Sequence, residues 1–435
     1  MKVLIVTYYF PPSGGAGVQR ALKFVKYLRE FGWEPVVLTA HDADYPAVDE
    51  SLALQIPKGT PIYRAKIVEP YRWYRKFTGR PAGEATDIAT LSLDERQKTK
   101  ISERLAEWVR AALFVPDARI GWLPFAVRMG RKILAREHID VIFSTAPPYT
   151  THLIGLHLHR AGKIPWVADF RDSWIGWLSA PQWRPALSRL IERRMERAVL
   201  READQLIAVS RGVQDDLLSR HPQHRDQRWE WLPNGFDAQD FSVTPKPRSG
   251  KMTITYTGSL YGHRNPEYLL RALENILCDR PEIAQKILVR LVGRVADSIQ
   301  KRIAHSPAAN LFEIIPYVPH HESLAYLLAG DISLLIIDDA PENKGILTGK
   351  LFEYIGAGHP IFALAPEGEA ADLIRTHQLG VVAPPKDTTM IAAELLALLE
   401  TLHHPQSKSV PRPVIEKFER RELTRQLAAI FDRVT

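Results

Sequence analysis

The residues best placed to do chemistry stand where short apolar runs end. Ser13-Gly14-Gly15-Ala16-Gly17 follows the run Val3-Leu4-Ile5-Val6 and precedes an amphipathic segment. Glycines at such a turn let backbone N–H groups approach a ligand, and a helix start favours an anion. Gly15 and Gly17 are therefore candidate phosphate contacts; the alternative is a tight turn with no ligand. The spacing Gly15-x-Gly17-x-x-Arg20 lacks the third glycine of a dinucleotide fingerprint. The next run ends at Leu38-Thr39 with no acidic residue, which disfavours a nicotinamide cofactor. Asp169, Arg171 and Asp172 follow the run Trp166-Val167-Ala168 and are candidate catalytic residues. Arginine is no base at neutral pH, but it can stabilise a phosphate or a developing negative charge. Either aspartate can orient or deprotonate a hydroxyl. The same three residues can equally form a structural salt-bridge cluster. His320-His321 and His403-His404 are adjacent pairs, and sequence neighbours do not share a helix face, so no metal site is expected.

Positioning these residues requires a sheet whose strand ends converge. Residues 2–7 read as a buried strand. A helix follows with Val18, Ala21, Leu22, Val25 and Leu28 on one face and Arg20, Lys23, Lys26 and Arg29 on the other. Residues 35–39 complete a right-handed βαβ unit. Residues 141–143, 166–168 and 205–209 read as further strands with polar residues at their carboxyl ends. Residues 233–250 are rich in proline, glycine and polar residues and read as linker. A second series then begins: strands at 253–256, 287–292, 332–337 and 360–363, helices at 268–277, 323–328 and 351–355. A charged amphipathic helix is expected over 415–431. The expected fold class is α/β, with two Rossmann-like doubly wound domains facing each other across a cleft and ligands at the carboxyl ends of the strands. The expected boundaries are 1–237, a linker at 238–250, 251–414, and a C-terminal helix at 415–435 packing back toward the first domain.

The chain of 435 residues is 45% hydrophobic and 25% charged, an ordinary globular composition too long for one core. A lone cysteine, Cys278, excludes an intramolecular disulfide and points to a reducing, cytoplasmic setting. The N-terminus lacks the pattern of a signal peptide, and no run approaches the ~18 apolar residues of a spanning helix. A net charge of +7 suits anionic lipid, nucleic acid or a phosphorylated substrate. Tyr71-Arg72-Trp73-Tyr74-Arg75-Lys76-Phe77 mixes aromatic and basic residues, as do residues 174–183, which run into Arg184, Arg189, Arg193, Arg194 and Arg197. Such stretches suit the inner face of a membrane. The alternative is a solvated helix laced with Glu–Arg pairs, since Glu192, Glu196 and Glu202 are interleaved. No RNA-binding motif appears, so nucleic acid is not an expected partner.

Several motifs in order resemble the family 4 retaining glycosyltransferases of the GT-B fold, in a bacterial surface-polysaccharide branch. They are Tyr9-Phe10-Pro11-Pro12 with Gly14-Gly15, Pro116-Asp117 with Gly121-Trp122, Ser144-Thr145-Ala146-Pro147-Pro148, Asp169-Phe170-Arg171-Asp172-Ser173-Trp174, Ala208-Val209-Ser210 and Leu232-Pro233-Asn234-Gly235-Phe236-Asp237. The resemblance runs almost the whole chain. It implies that the second domain holds a nucleotide-diphosphate-sugar, with no cofactor and no metal. Ser259 closes the first strand of that domain, and Arg264 stands where the family places a cation against the donor diphosphate. The planar fork of an arginine suits that role. Ile346-Leu347-Thr348-Gly349-Lys350-Leu351-Phe352-Glu353 resembles the family's donor-binding loop and helix start. There Thr348 and Gly349 would offer backbone N–H groups, Lys350 a point charge, and Glu353 an acceptor for the ribose hydroxyls. Relatives often carry a second glutamate eight residues earlier, where this chain has Gly345, so the group contacting the sugar ring is left open. Val318 lies in a segment whose backbone reads the base edge in the family. Where many members have a histidine, this chain has Arg171.

The leading expectation is thus a glycosyltransferase acting with retention on a saccharide or lipid-linked acceptor. Two other readings compete: a sugar-nucleotide epimerase of the same fold, and a non-enzymatic basic protein that binds membranes or nucleic acid.

Overall fold

Val3, Leu4, Ile5 and Val6 are fully buried, as a strand covered on both faces requires. In the computed structural model, which describes residues 1–41, 43, 45, 48–68, 114–175, 185–227, 229–262, 264–403 and 410–435, this strand lies inside a parallel sheet. Two units emerge: Met1–Pro233 with Arg421–Thr435, and Asn234–Arg420.

The first unit is built on β1 (Lys2–Val6), β2 (Glu34–His41), β3 (Ile62–Lys66), β4 (Val141–Ala146), β5 (Trp166–Phe170), β6 (Gln205–Ala208) and β7 (Trp229–Trp231). Their order is β3-β2-β1-β4-β5-β6-β7, every pairing parallel. The order reverses between β1 and β4, which opens a crevice at their carboxyl ends. The unit's described helices include α1 (Ala16–Tyr27), α2 (Leu123–Arg136), α3 (Thr150–Gly162), α4 (Ala186–Glu202) and α5 (Arg211–Arg220). In α1, Val18, Ala21, Leu22, Val25 and the following Leu28 are buried as the periodicity predicts. Arg20 and Lys23 depart from it: both are 1% exposed, although the spacing puts them on the solvent side.

The second unit carries β8 (Met252–Thr257), β9 (Ile287–Val292), β10 (Phe312–Ile315), β11 (Ile332–Ile336), β12 (Ile361–Leu364) and β13 (Gly380–Ala383). They pair in parallel as β10-β9-β8-β11-β12-β13. Its switch point lies between β8 and β11. Its helices include α6 (Glu267–Asp279), α7 (Asp297–Ala304), α8 (His320–Leu328) and α9 (Gly349–Ala357).

The expected linker belongs to the second unit. Asp237 caps a short turn at Ala238–Phe241 by accepting from the Gln239 amide at 3.0 Å, and the Lys246 amide donates to Ala325 O at 3.0 Å. The single helix expected over 415–431 is two, Arg412–Lys417 and Arg420–Val434. The break has a tertiary cause. The Phe236 amide donates to Phe418 O at 3.2 Å and the Arg420 amide to Phe236 O at 2.7 Å, which takes these groups out of any helical ladder. Beyond the break, Leu423, Leu427, Ile430 and Phe431 enter the first unit's core beside Trp33 and Phe143. Trp33 Nε1 donates to Asp432 at 2.9 Å. Among the described residues no helix is long and apolar enough to cross a membrane.

Candidate functional site

In the first unit the candidate residues surround the β1/β4 switch point, and most of their hydrogen-bonding capacity is spent on the fold. Asp169 is fully buried. Arg20 grips it with two bonds, Nη2 to Oδ1 at 2.6 Å and Nε to Oδ2 at 2.9 Å, and Thr145 Oγ1 donates to Oδ2 at 2.6 Å. Arg20 also donates to Leu232 O at 2.9 Å and Pro233 O at 2.8 Å. Asp169 therefore has its two oxygens committed to a bidentate buried pair. Arg171 donates to Ala146 O (3.1 Å), Pro147 O (2.5 Å) and Gly17 O (2.7 Å). It laces together the ends of β4 and β5 and the glycine turn after β1. Gly15 is exposed at φ +84, a conformation that favours glycine, and it precedes the first residue of α1. A Cβ on Gly17 would stand 3.3 Å from the Tyr9 ring.

Asp172 is the exposed member of the trio. The protein packed around it desolvates the carboxyl and raises it to about 6, while Arg171 pulls the other way; the side chain's own exposure argues for a smaller rise. Its loop is held firmly. Tyr149 Oη donates to Ser173 O at 2.6 Å, and the Tyr149 ring stacks on Trp174 at 4.9 Å. Ser173 Oγ donates to Asp216, which pairs with Arg220 at 2.8 Å.

In the second unit the chain leaves β8 through Thr257-Gly258-Ser259. Gly258 has φ +119, and a Cβ there would come within 2.5 Å of Lys350 Cε. That gap seats the Lys350 side chain over the Tyr256 ring, with Nζ 4.2 Å from the ring centroid and 2.5 Å from Oη. Tyr256 Oη donates in turn to Ser259 O at 3.0 Å. Burial, with Arg264 adding repulsion, lowers Lys350 to about 7, and Glu353 opposes the shift. Lys350, Arg264 and Glu353 thus lie within electrostatic reach of one another. Among the described residues the Arg264 guanidinium makes no ion pair, and its backbone bridges Tyr261.

Helix α9 begins at Gly349 with its first turn uncapped. Thr348 is the cap residue and makes no side-chain cap bond, and among the described residues its buried Oγ1 has no partner; the first turn holds no acidic residue. Free amides and a positive dipole end make such a start an anion site. One turn further on, Glu353 Oε1 is 3.0 Å from His320 Nε2 at the start of α8. Val318 lies on the segment that leads into α8, beside Tyr317, whose exposed ring carries the Arg294 guanidinium at 5.2 Å.

The structure therefore gathers Ser259, Arg264, Thr348, Gly349, Lys350 and Glu353 on the second unit, with Val318 next to the helix that touches Glu353. Gly15, Gly17, Asp169, Arg171 and Asp172 belong to the first unit. Sequence reasoning missed Arg20 as the partner of Asp169, Tyr256 as the seat of Lys350, and His320 as the neighbour of Glu353. The signal for Arg20 was a cation one turn past the glycine turn. Tyr71–Phe77, residues 176–184, His263 and His404 lie outside the described residues. Among the described residues no three His, Cys, Asp or Glu side chains group as a metal site.

Residues 83–240 match the family profile described as Glycosyltransferase Family 4, and residues 251–401 that described as Glycosyl transferases group 1. No curated protein matches the chain in sequence. Among solved structures, HepE of Anabaena in complex with UDP and glucose is 14% identical, with a TM-score of 0.61 and 100% of each chain covered. The apo lipopolysaccharide outer core galactosyltransferase WaaB is 12% identical, with a TM-score of 0.57 and 100% of each chain covered. An α,α-trehalose-phosphate synthase (UDP-forming) from Burkholderia xenovorans, in complex with glucose-6-phosphate, is 12% identical with a TM-score of 0.61, covering 99% of this chain and 100% of that one. At these identities the likeness shows the fold, which is GT-B: two Rossmann-like α/β domains.

Proposed function

This chain belongs to glycosyltransferase family 4, and on that premise we propose that it moves a sugar from a nucleotide-diphosphate-sugar to a saccharide or lipid-linked acceptor. The transfer retains the anomeric configuration and serves bacterial polysaccharide or lipopolysaccharide biosynthesis, at the inner face of the membrane. The observation that carries the reading is the uncapped start of α9, with the orphaned Thr348 hydroxyl beside Lys350 and an arginine, Arg264, that has no ion-pair partner among the described residues. Two cations and free amides meet the need of a leaving diphosphate, whose negative charge grows as the anomeric bond breaks. They do so without a metal. Glu353, steadied by His320, receives the ribose hydroxyls, and the backbone at Val318 meets the base edge. Ser259 closes the diphosphate side. Gly15 and Gly17, at the start of α1, are the first unit's own candidate phosphate contacts.

Asp172 is the acceptor-side carboxylate in this reading, because it is the exposed one on a firmly held loop. Asp169 and Arg171 act through it: the first anchors α1 to β5, and the second fixes the strand ends on which the loop stands.

The test is mass spectrometry of products from a panel of nucleotide-diphosphate-sugars and saccharide acceptors. A mass gain of one sugar with release of nucleoside diphosphate is expected. Turnover to an isomerised free donor without any acceptor would overturn the assignment.

Lys350 adds a pH signature. Its charged form is disfavoured in the free protein, with a pKa of about 7, and a diphosphate favours the charged form. Binding therefore takes up a proton above pH 7, and affinity falls as pH rises, by up to about tenfold per unit. The phosphodiester oxygens of a nucleotide-diphosphate-sugar do not titrate there. Calorimetry in buffers of different ionisation enthalpy counts the proton directly. Lys350→Arg should flatten the profile, because arginine stays charged.

A further inference from the structure

We propose that the exposed face of α4 is the surface through which the protein docks on an anionic lipid bilayer. The inference deepens the membrane contact in the function proposed above and requires none of its donor chemistry. Helix α4 buries Val199 and Leu200 near its end as an ordinary surface helix would, but four of its residues are arranged the opposite way. Its acids point inward: Glu192 is 1% exposed and Glu196 fully buried, where Glu196 takes Arg220 at 3.0 Å and His221 at 2.8 Å. Two leucines of its N-terminal half point outward, Leu187 at 68% and Leu190 at 47% exposure. Leu187, Leu190, Arg194 and Arg197 follow the three-four spacing of one helical stripe, and Arg189 and Arg193 flank it. All four arginines are exposed, and among the described residues none makes an ion pair. Glu202, the remaining acid of the helix, is taken by Arg160 and Arg201. The interleaved glutamates therefore do not neutralise this face.

Charge complementarity selects an anionic partner, and the leucines select lipid among anionic partners. A helix lying flat on a bilayer buries apolar tips at headgroup depth while arginine stems reach up to the phosphates. A nucleic-acid backbone offers the phosphates but nothing for exposed leucines.

The experiment is co-sedimentation of the full chain with phosphatidylcholine vesicles, with and without phosphatidylglycerol. The wild type should partition only onto the anionic vesicles, and less so as salt rises. Arg193→Gln, Arg194→Gln and Arg197→Gln together should lower the partition coefficient about a hundredfold. Leu187→Ser with Leu190→Ser should lower it about tenfold at unchanged charge. Circular dichroism and nucleotide-sugar affinity without vesicles should stay at wild-type values in both variants. Equal binding to neutral vesicles, or variants that bind like wild type, would overturn the proposal. So would loss on removing the arginines with no effect of the leucines, which would mark a general polyanion binder. Loss of donor binding in the wild type would sink the transferase reading and leave the vesicle result standing.

Discussion

Glu353→Ala is expected to weaken nucleotide-diphosphate-sugar binding by about a hundredfold, because two ribose hydroxyls lose a charged acceptor. The residue sits one turn into α9 with Oε1 held 3.0 Å from His320 Nε2, which fixes the carboxylate and leaves Oε2 for a ligand. The effect should be specific to the ribose. A 2′-deoxyribose donor should bind the wild type more weakly, and the Glu353→Ala variant should no longer distinguish the two donors. A double-mutant cycle between the protein and donor changes isolates that coupling. His320→Gln keeps a donor beside Glu353 and should cost less than His320→Ala. A loss below about threefold for Glu353→Ala, less than one charged hydrogen bond, would show that the ribose is held elsewhere. The titration and calorimetry that test Lys350 apply unchanged.

Arg20→Ala should cost the first unit about 3–5 kcal/mol, because it strands a carboxylate in an apolar interior. Asp169 is fully buried, and two of the hydrogen bonds it accepts come from Arg20. The substitution also removes the donors to Leu232 O and Pro233 O. Trp33, Trp122, Trp166 and Trp174 are each at most 1% exposed and all belong to the first unit, so denaturant titration followed by tryptophan fluorescence reads that unit's unfolding. The double change Arg20→Leu with Asp169→Leu removes the pair together and should recover much of the loss. If Arg20→Ala alone leaves the midpoint unmoved, the pair does not hold the β5 end in place. Asp169 would then be open to a direct catalytic role.

Much of the framework is legible in the amino-acid order, because buried parallel strands announce themselves. β1, β4, β5, β6, β8, β9, β11 and β12 are short apolar runs, and each lies within a few residues of the place its run predicts. The edge strands β3 and β7 are mostly half-buried and carry no such run, as in Trp229-Glu230-Trp231. Nothing local distinguishes them from loop. The motifs at the strand ends are equally legible as motifs: the glycine turn, the trio after β5, and the run from Thr348 to Glu353.

Partnership across the chain was decided by the tertiary structure. Arg20 and Asp169 stand 149 residues apart, and the periodicity of α1 assigns Arg20 to solvent; the carboxylate at the end of β5 draws it inward. The seat of Lys350 depends on a glycine with positive φ and an aromatic ring two strand positions before it. The break at Phe418 exists because Phe236 claims the backbone groups that a helix would use. Outward Leu187 and Leu190 and inward Glu192 and Glu196 on α4 invert what hydrophobicity alone would assign there, and Arg220 and His221 supply the buried acid Glu196 with partners. Local order encodes element period and strand ends. Which buried charge finds a partner is a property of the packed interior, where an unpaired charge is too costly to persist.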